Sequence, residues 1–148
     1  MQKLYLAYGS NLDHRQMKMR CPDAAYLGKT EVKNYTLLYR GNYRDYGVAT
    51  IEPKDGENVP AGIWSISERD EIMLDRYEGY PHLYDKEFLK VELNGEMVEV
   101  MVYIMTPGHL LATPAPWYYE TLRRGYKDCG LDEKYLHRVT EAAFKQNR

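Results

Sequence analysis

Residues 84–105 constrain the fold more than any other stretch. Ten residues of strand-like composition, YDKEFLKVEL, meet Asn94-Gly95, and ten more, EMVEVMVYIM, follow. Asn-Gly readily takes positive φ at both central positions of a tight turn, and turns of that type match the twist of the strands they join. The spacing predicts a β-hairpin with a two-residue turn. A lone hairpin is marginal in water, so the rest of the chain must supply further strands or a helix to cover it.

Those partners are legible on both sides. Near the N-terminus, KLYLAY reads as a buried strand, with Leu4, Leu6 and Tyr8 on one face and Tyr5 and Ala7 on the other. Gly9 ends it, and Asn11 or Asp13 can cap a short helix reaching about Arg20, before Pro22. AAYLGKTEVKNYTLLYR reads as one or two strands, and GVATIEP as another; the polar KDGEN predicts a turn before VPAGIWSI. Ser67 caps a helix over ERDEIMLDRYE, acidic in its first turn and closed by Gly79. TPGHLLATPAP is an irregular loop. Pro116 suits the first turn of a helix that ends at Gly130, and Asp132 caps a last one over EKYLHRVTEAAFKQ. Strands and helices do not alternate as βαβ units. The expected class is therefore mixed α+β: a largely antiparallel sheet or small β-barrel with flanking helices, one domain over 1–148.

Composition excludes several functions. A net charge of −2 gives no electrostatic pull toward nucleic acid or an anionic membrane. The longest uncharged stretch, 103–119, is broken by three prolines and a glycine, so no membrane helix is expected. The N-terminus has neither the apolar run nor the cleavage site of a signal peptide. Two distant cysteines, Cys21 and Cys129, form no disulfide framework, which suits a reducing cytoplasm. The four histidines are scattered without metal-ligand spacing, so each reads as a surface residue and no metal is expected. One stretch argues the other way: VKNYTLLYRGNYRDYG interleaves Tyr35, Tyr39, Tyr43 and Tyr46 with Lys33, Arg40 and Arg44. Such patterns stack and neutralise single strands. The acidic balance of the whole chain weighs against that use here.

Two places could carry chemistry. In AYGSNL, Gly9 permits close approach to the backbone, and the amides after it would meet a helix N-terminus, which favours anions. Alone, a strand–Gly–cap–helix junction is generic. Ser10 is followed by Asn11 and Leu12, so this is not the nucleophile elbow G-x-S-x-G. In LDRYEGYP, Glu78 falls at the C-terminal end of its helix, where the dipole disfavours a carboxylate, and Tyr77, Tyr80 and Tyr84 are near in sequence. Both effects raise its pKa toward the range a general acid/base needs. An exposed Glu at a frayed helix end gives the same sequence.

Taken together, AYGSNL after an N-terminal strand and LDRYEGYPHLY about 65 residues further on resemble the γ-glutamylcyclotransferase, or AIG2-like, family. GVATI, PAGIWSI, VYIM, PAPWYYETL and GLDEKYLHRV extend the resemblance over about 3–139. It implies a compact β-barrel with helices around it. It also implies Glu78 as catalytic acid/base, and a substrate pocket from Tyr8, Gly9, Ser10 and Asn11, with Tyr5, Leu6 and Ala7 leading in and Tyr84 and Tyr118 as pocket tyrosines. The implied reaction closes a γ-glutamyl group into 5-oxoproline and releases an amine or amino acid, with no cofactor. Glutathione-specific relatives carry YGSL where this chain has YGSN, so glutathione is not the expected substrate. Homodimers occur in the family, which leaves self-association open. The alternative is a non-catalytic module binding a γ-glutamyl-like ligand on the same fold.

Overall fold

The computed structural model describes residues 3–41 and 46–146. Five strands and four helices follow one another as β1 (Lys3–Ala7), α1 (His14–Arg20), β2 (Ala25–Gly41), β3 (Gly47–Ile66), α2 (Glu68–Glu78), β4 (Tyr84–Leu93), β5 (Glu96–Met105), α3 (Pro116–Cys129) and α4 (Glu133–Gln146). The hairpin forms as its sequence requires. Leu93 pairs with Glu96 and Tyr84 with Met105, while Asn94 and Gly95 take φ of 51° and 86°.

The sheet runs β2-β3-β1-β5-β4. Every pairing is antiparallel except β1 with β5, which meet in parallel at Tyr5 and Met101. The mixed, largely antiparallel class is as expected, but the barrel does not close by a ladder. Its two edges, β2 and β4, are joined by side chains: Thr30 Oγ1 donates to the Glu92 carbonyl at 2.6 Å.

One expected turn is absent. KDGEN lies inside β3, because the segments on either side of it both pair with β2. The register jumps from Lys33↔Asn58 to Tyr35↔Pro53. The extra residues are accommodated opposite Asn34, which takes φ of 63° and accepts a bond from the Gly56 amide at 3.0 Å. A bulge of this kind bends a long strand without reversing it. Its partner, expected as one or two strands, is the single strand β2.

The caps follow the sequence closely. Ser67 and Asp70 form a reciprocal capping box on α2, and Asp70, fully buried, also accepts from the Asp23 amide. Asp13 caps α1 by accepting from the Arg15 and Gln16 amides. Asn11 instead belongs to a 3-10 turn, Ser10–Leu12. Helix α3 presses on that turn at Gly125, where an added Cβ would lie 2.6 Å from Leu12 Cβ. Helix α4 is tied to β2 by the Tyr39 and Thr140 hydroxyls at 2.8 Å. Leu6, Leu12, Ile63 and Leu122 are completely buried in the core between sheet and helices.

The basic–aromatic stretch does not present an open stripe among its described residues. Tyr39 is buried, and Arg40 is held by Glu52 at 2.6 Å and by the His109 carbonyl at 2.8 Å. Tyr43 and Arg44 lie outside the described residues. Among the described residues no helix is long and apolar enough to cross a membrane. His14 departs from the surface expectation. Its ring packs on Tyr26 and Trp64, at 4.6 and 5.0 Å between centroids.

Candidate active site

Strand β1 ends in the middle of the sheet, so the loop after it emerges between β3 and β5. The last turn of α2 and the first turn of α3 converge on that loop, and the gap between them is a cavity of about 440 Å³. Cavities of this size hold small metabolites. Of the expected site residues, Tyr5, Leu6, Tyr8, Gly9, Ser10, Asn11, Glu78, Tyr84 and Tyr118 line it. Ala7 does not; it is buried in the sheet opposite Gly62. Tyr80 is also outside the lining, edge-on to Tyr103 with the Lys86 ammonium 4.4 Å from its ring.

Glu78 is the last residue of α2. Gly79 follows at φ 64°, and the Gly79 and Tyr80 amides close the helix by bonding the Arg76 and Asp75 carbonyls. This left-handed end stops the helix at the cavity. The Glu78 carboxylate is half-buried, and among the described residues nothing donates a hydrogen bond to it. Its surroundings push its pKa up to about 7. The sequence anticipates this direction from the helix dipole and from desolvation by nearby tyrosines; the dominant cause in the structure is loss of water, opposed by the Arg20 guanidinium.

The tyrosines around it are fixed by their own hydroxyls. Tyr118 accepts from the Ala49 amide at 3.0 Å, and Tyr84 donates to the Ala49 carbonyl at 2.5 Å, so two rings from two elements clamp one residue of β3. Tyr8 donates to the Tyr103 carbonyl at 2.7 Å. Burial holds the Tyr5, Tyr8, Tyr84 and Tyr118 hydroxyls well above the ordinary phenol range, so they are neutral polar groups at physiological pH.

The loop is organised differently from its sequence reading. Its amides precede a single 3-10 turn, not an α-helix, so no helix dipole is focused there. Asn11 is buried, and both ends of its side-chain amide are hydrogen-bonded. Nδ2 donates to the Tyr5 hydroxyl at 2.9 Å, Oδ1 accepts from Arg20, and its backbone carbonyl accepts from the Trp64 indole at 3.1 Å. Asn11 therefore braces the loop. Ser10 Oγ lies 2.9 Å from the Tyr77 hydroxyl, a link between loop and α2.

Several contributors are not legible from sequence. Arg20 and Ala49 act through contacts between distant segments, as does the link of Tyr77, itself read from sequence as a neighbour of Glu78, to Ser10. Arg20, in the last turn of α1, carries only the generic signal of a basic residue at a helix C-terminus. Trp117, more than half exposed, stands edge-on to Tyr46 and Tyr118 at the mouth, where its sequence context shows only a residue in the first turn of a helix.

The chain matches known proteins. A model of the family described as "Gamma-glutamyl cyclotransferase, AIG2-like" covers residues 5–121, which include the loop, Glu78, Tyr84 and Tyr118. The chain belongs to that family. It is 28% identical to the gamma-glutamylcyclotransferase of Mus musculus over 145 residues, and 29% to that of Homo sapiens over the same length. Each alignment covers 92% of this chain and 76% of the relative. A solved structure named gamma-glutamyl cyclotransferase superposes with a TM-score of 0.85 at 26% identity, over 94% of this chain and 86% of that one. The family is catalytic, and this chain is an enzyme of its type.

Proposed function

We propose that the cavity binds the γ-glutamyl head of a small molecule and closes it into 5-oxoproline, with Glu78 as the general acid/base. The observation that supports this most is Glu78 itself: a carboxylate with no ion pair or hydrogen-bond donor among the described residues, set among neutral phenols, its pKa pushed up to about 7. A carboxylate this far withdrawn from water and kept only for stability would be paired or hydrogen-bonded.

The chemistry follows from the groups present. The substrate's α-ammonium is not nucleophilic until it loses a proton, and Glu78 accepts that proton. The freed amine attacks the γ-carbonyl carbon and the carbonyl electrons move onto oxygen. Glu78 gives its proton to the leaving nitrogen, and the carbonyl re-forms as the bond to that nitrogen breaks. The ring nitrogen sheds its second proton through the freed carboxylate to the departing amine, which leaves as its ammonium. A group that must both take and give a proton near neutrality works best with a pKa near 7. Holding amine and carbonyl in one conformer supplies much of the rate, since well-oriented intramolecular reactions reach effective molarities on the order of 10⁵–10⁸ M. The loop backbone after Tyr8 and the hydroxyls of Tyr5 and Tyr118, which only accept among the described residues, offer donors to the substrate's oxygens.

A panel of γ-glutamyl amino acids, amines and peptides, assayed for 5-oxoproline, tests the reading. Release from at least one member is expected. Measurable binding with no release from any member would make the chain a binding module.

A further inference from the structure

We propose that Arg20 is a positioning residue of this site: its guanidinium locks the loop after β1 to the last turn of α2 and so fixes the surroundings of Glu78. This rests on the reading of Glu78 as the acid/base.

Three contacts carry the inference. Arg20 Nη1 donates to Asn11 Oδ1, which leaves Asn11 Nδ2 directed at the Tyr5 hydroxyl on the cavity wall. The guanidinium carbon lies over the Tyr77 ring, 3.3 Å from its centroid, and the Tyr77 hydroxyl meets Ser10 Oγ. Tyr77 immediately precedes Glu78. One side chain from α1 therefore holds Asn11 of the loop and the neighbour of the proposed base directly, and reaches Ser10 through Tyr77. Lysine cannot reproduce this, because only a planar guanidinium stacks and donates in its own plane at once.

The charge of Arg20 is also uncommitted. Arg40, Arg69, Arg123, Arg124 and Arg138 each pair with a carboxylate. Arg20 makes no ion pair among the described residues; its other bond is a long one to Gln16 Oε1, at 3.5 Å. Its field is free to act on Glu78. The titratable groups facing Glu78 from other elements are phenols: Tyr5 on β1, Tyr8 after it, Tyr84 on β4, Tyr103 on β5 and Tyr118 on α3. All are held neutral by burial. Arg20 lies behind the wall, outside the lining, and Arg76, on α2 itself, is the one cation lining the cavity among the described residues. Arg20 opposes the desolvation of Glu78 and keeps the carboxylate ionisable near neutrality.

The test compares kcat/KM against pH for the intact protein and for Arg20→Met, Arg20→Lys and Arg15→Met, using the best γ-glutamyl substrate of the panel. Arg15 lies on the same helix, exposed and outside the cavity. Its variant should behave as the parent. Arg20→Met should move the acidic limb to higher pH and lower kcat/KM by about 10–100-fold at pH 7, the scale of a misplaced catalytic group. Arg20→Lys should hold the limb near its parental position while KM rises severalfold. A parental limb and parental kcat/KM in Arg20→Met would overturn the proposal. So would equal losses in both Arg20 variants with an unmoved limb, which would mark a merely structural role. If Arg20→Met does not fold, Arg20→Lys decides: parental KM and kcat there overturn it. Failure of the Glu78 reading is separable, because it appears in the unmodified protein as no 5-oxoproline from any substrate.

Discussion

Glu78 shows how a single residue can be costly to the fold and useful to the reaction. Its pKa rises from the ordinary carboxylate value to about 7. The folded state therefore holds a proton more tightly than the unfolded chain. The sign follows: the stability linked to this group is fully present at pH 4 and is lost as pH rises through 7. Glu78→Gln should then be more stable than the parent at pH 8, by about 1–3 kcal/mol, and equal to it near pH 4. Paired denaturant titrations at the two pH values measure this, and equal stabilities at pH 8 would mean that the carboxylate is well hydrated. Activity has the opposite dependence, since Glu78 must be ionised to take the ammonium proton. kcat/KM should rise with pH and level off above about 7. A limb in the ordinary carboxylate range would contradict that. Sequence alone carries the direction of this shift and points to desolvation by nearby tyrosines, but not the full set of rings that causes it. The burial of Glu78 depends on rings from β1, β4 and α3 that no local pattern brings together.

The elements converge on the cavity through a few close contacts. Helix α3 can press on the 3-10 turn only because residue 125 is glycine; an added Cβ would meet Leu12 Cβ at 2.6 Å and the Asp13 amide at 2.7 Å. Gly125→Ala should destabilise the fold by about 1–3 kcal/mol, the usual cost of overpacking, and displace the loop. Chemical denaturation measures the first effect and KM the second. The tyrosine clamp on Ala49 makes a second test. Tyr118→Phe removes the acceptor of a buried amide and should cost about 1–3 kcal/mol, with KM raised because β3 is no longer fixed against α3. An unchanged melting temperature would show the amide satisfied otherwise. Elements with local signals are legible in the sequence: the Asn94-Gly95 hairpin, the Ser67 cap, the Gly79 and Gly130 stops. KDGEN is misread because its composition is that of a turn, while the strand pairing that decides the matter comes from β2. The 3-10 turn after Gly9 is missed for a similar reason: α3 and Trp64 hold it, and both are remote in the chain.

At the scale of the molecule, the mixed class is legible because strands and helices fail to alternate. The strand order is not. The parallel contact of β1 with β5 sets the loop after β1 beside the end of α2, and nothing in either strand announces it. That contact brings Tyr8 and Tyr103 together, and with them the loop and the carboxylate. The chemistry therefore depends on a topology that only long-range packing fixes. The most direct measurement of the whole reading is 5-oxoproline release by Glu78→Gln beside the parent protein, with substrate binding measured in both. Turnover is expected to fall by at least about 10²-fold, the lower end for a lost acid/base, while the dissociation constant stays within a few-fold. Near-parental turnover in Glu78→Gln would show that the proton moves by another route and that the cavity's central residue is not its catalyst.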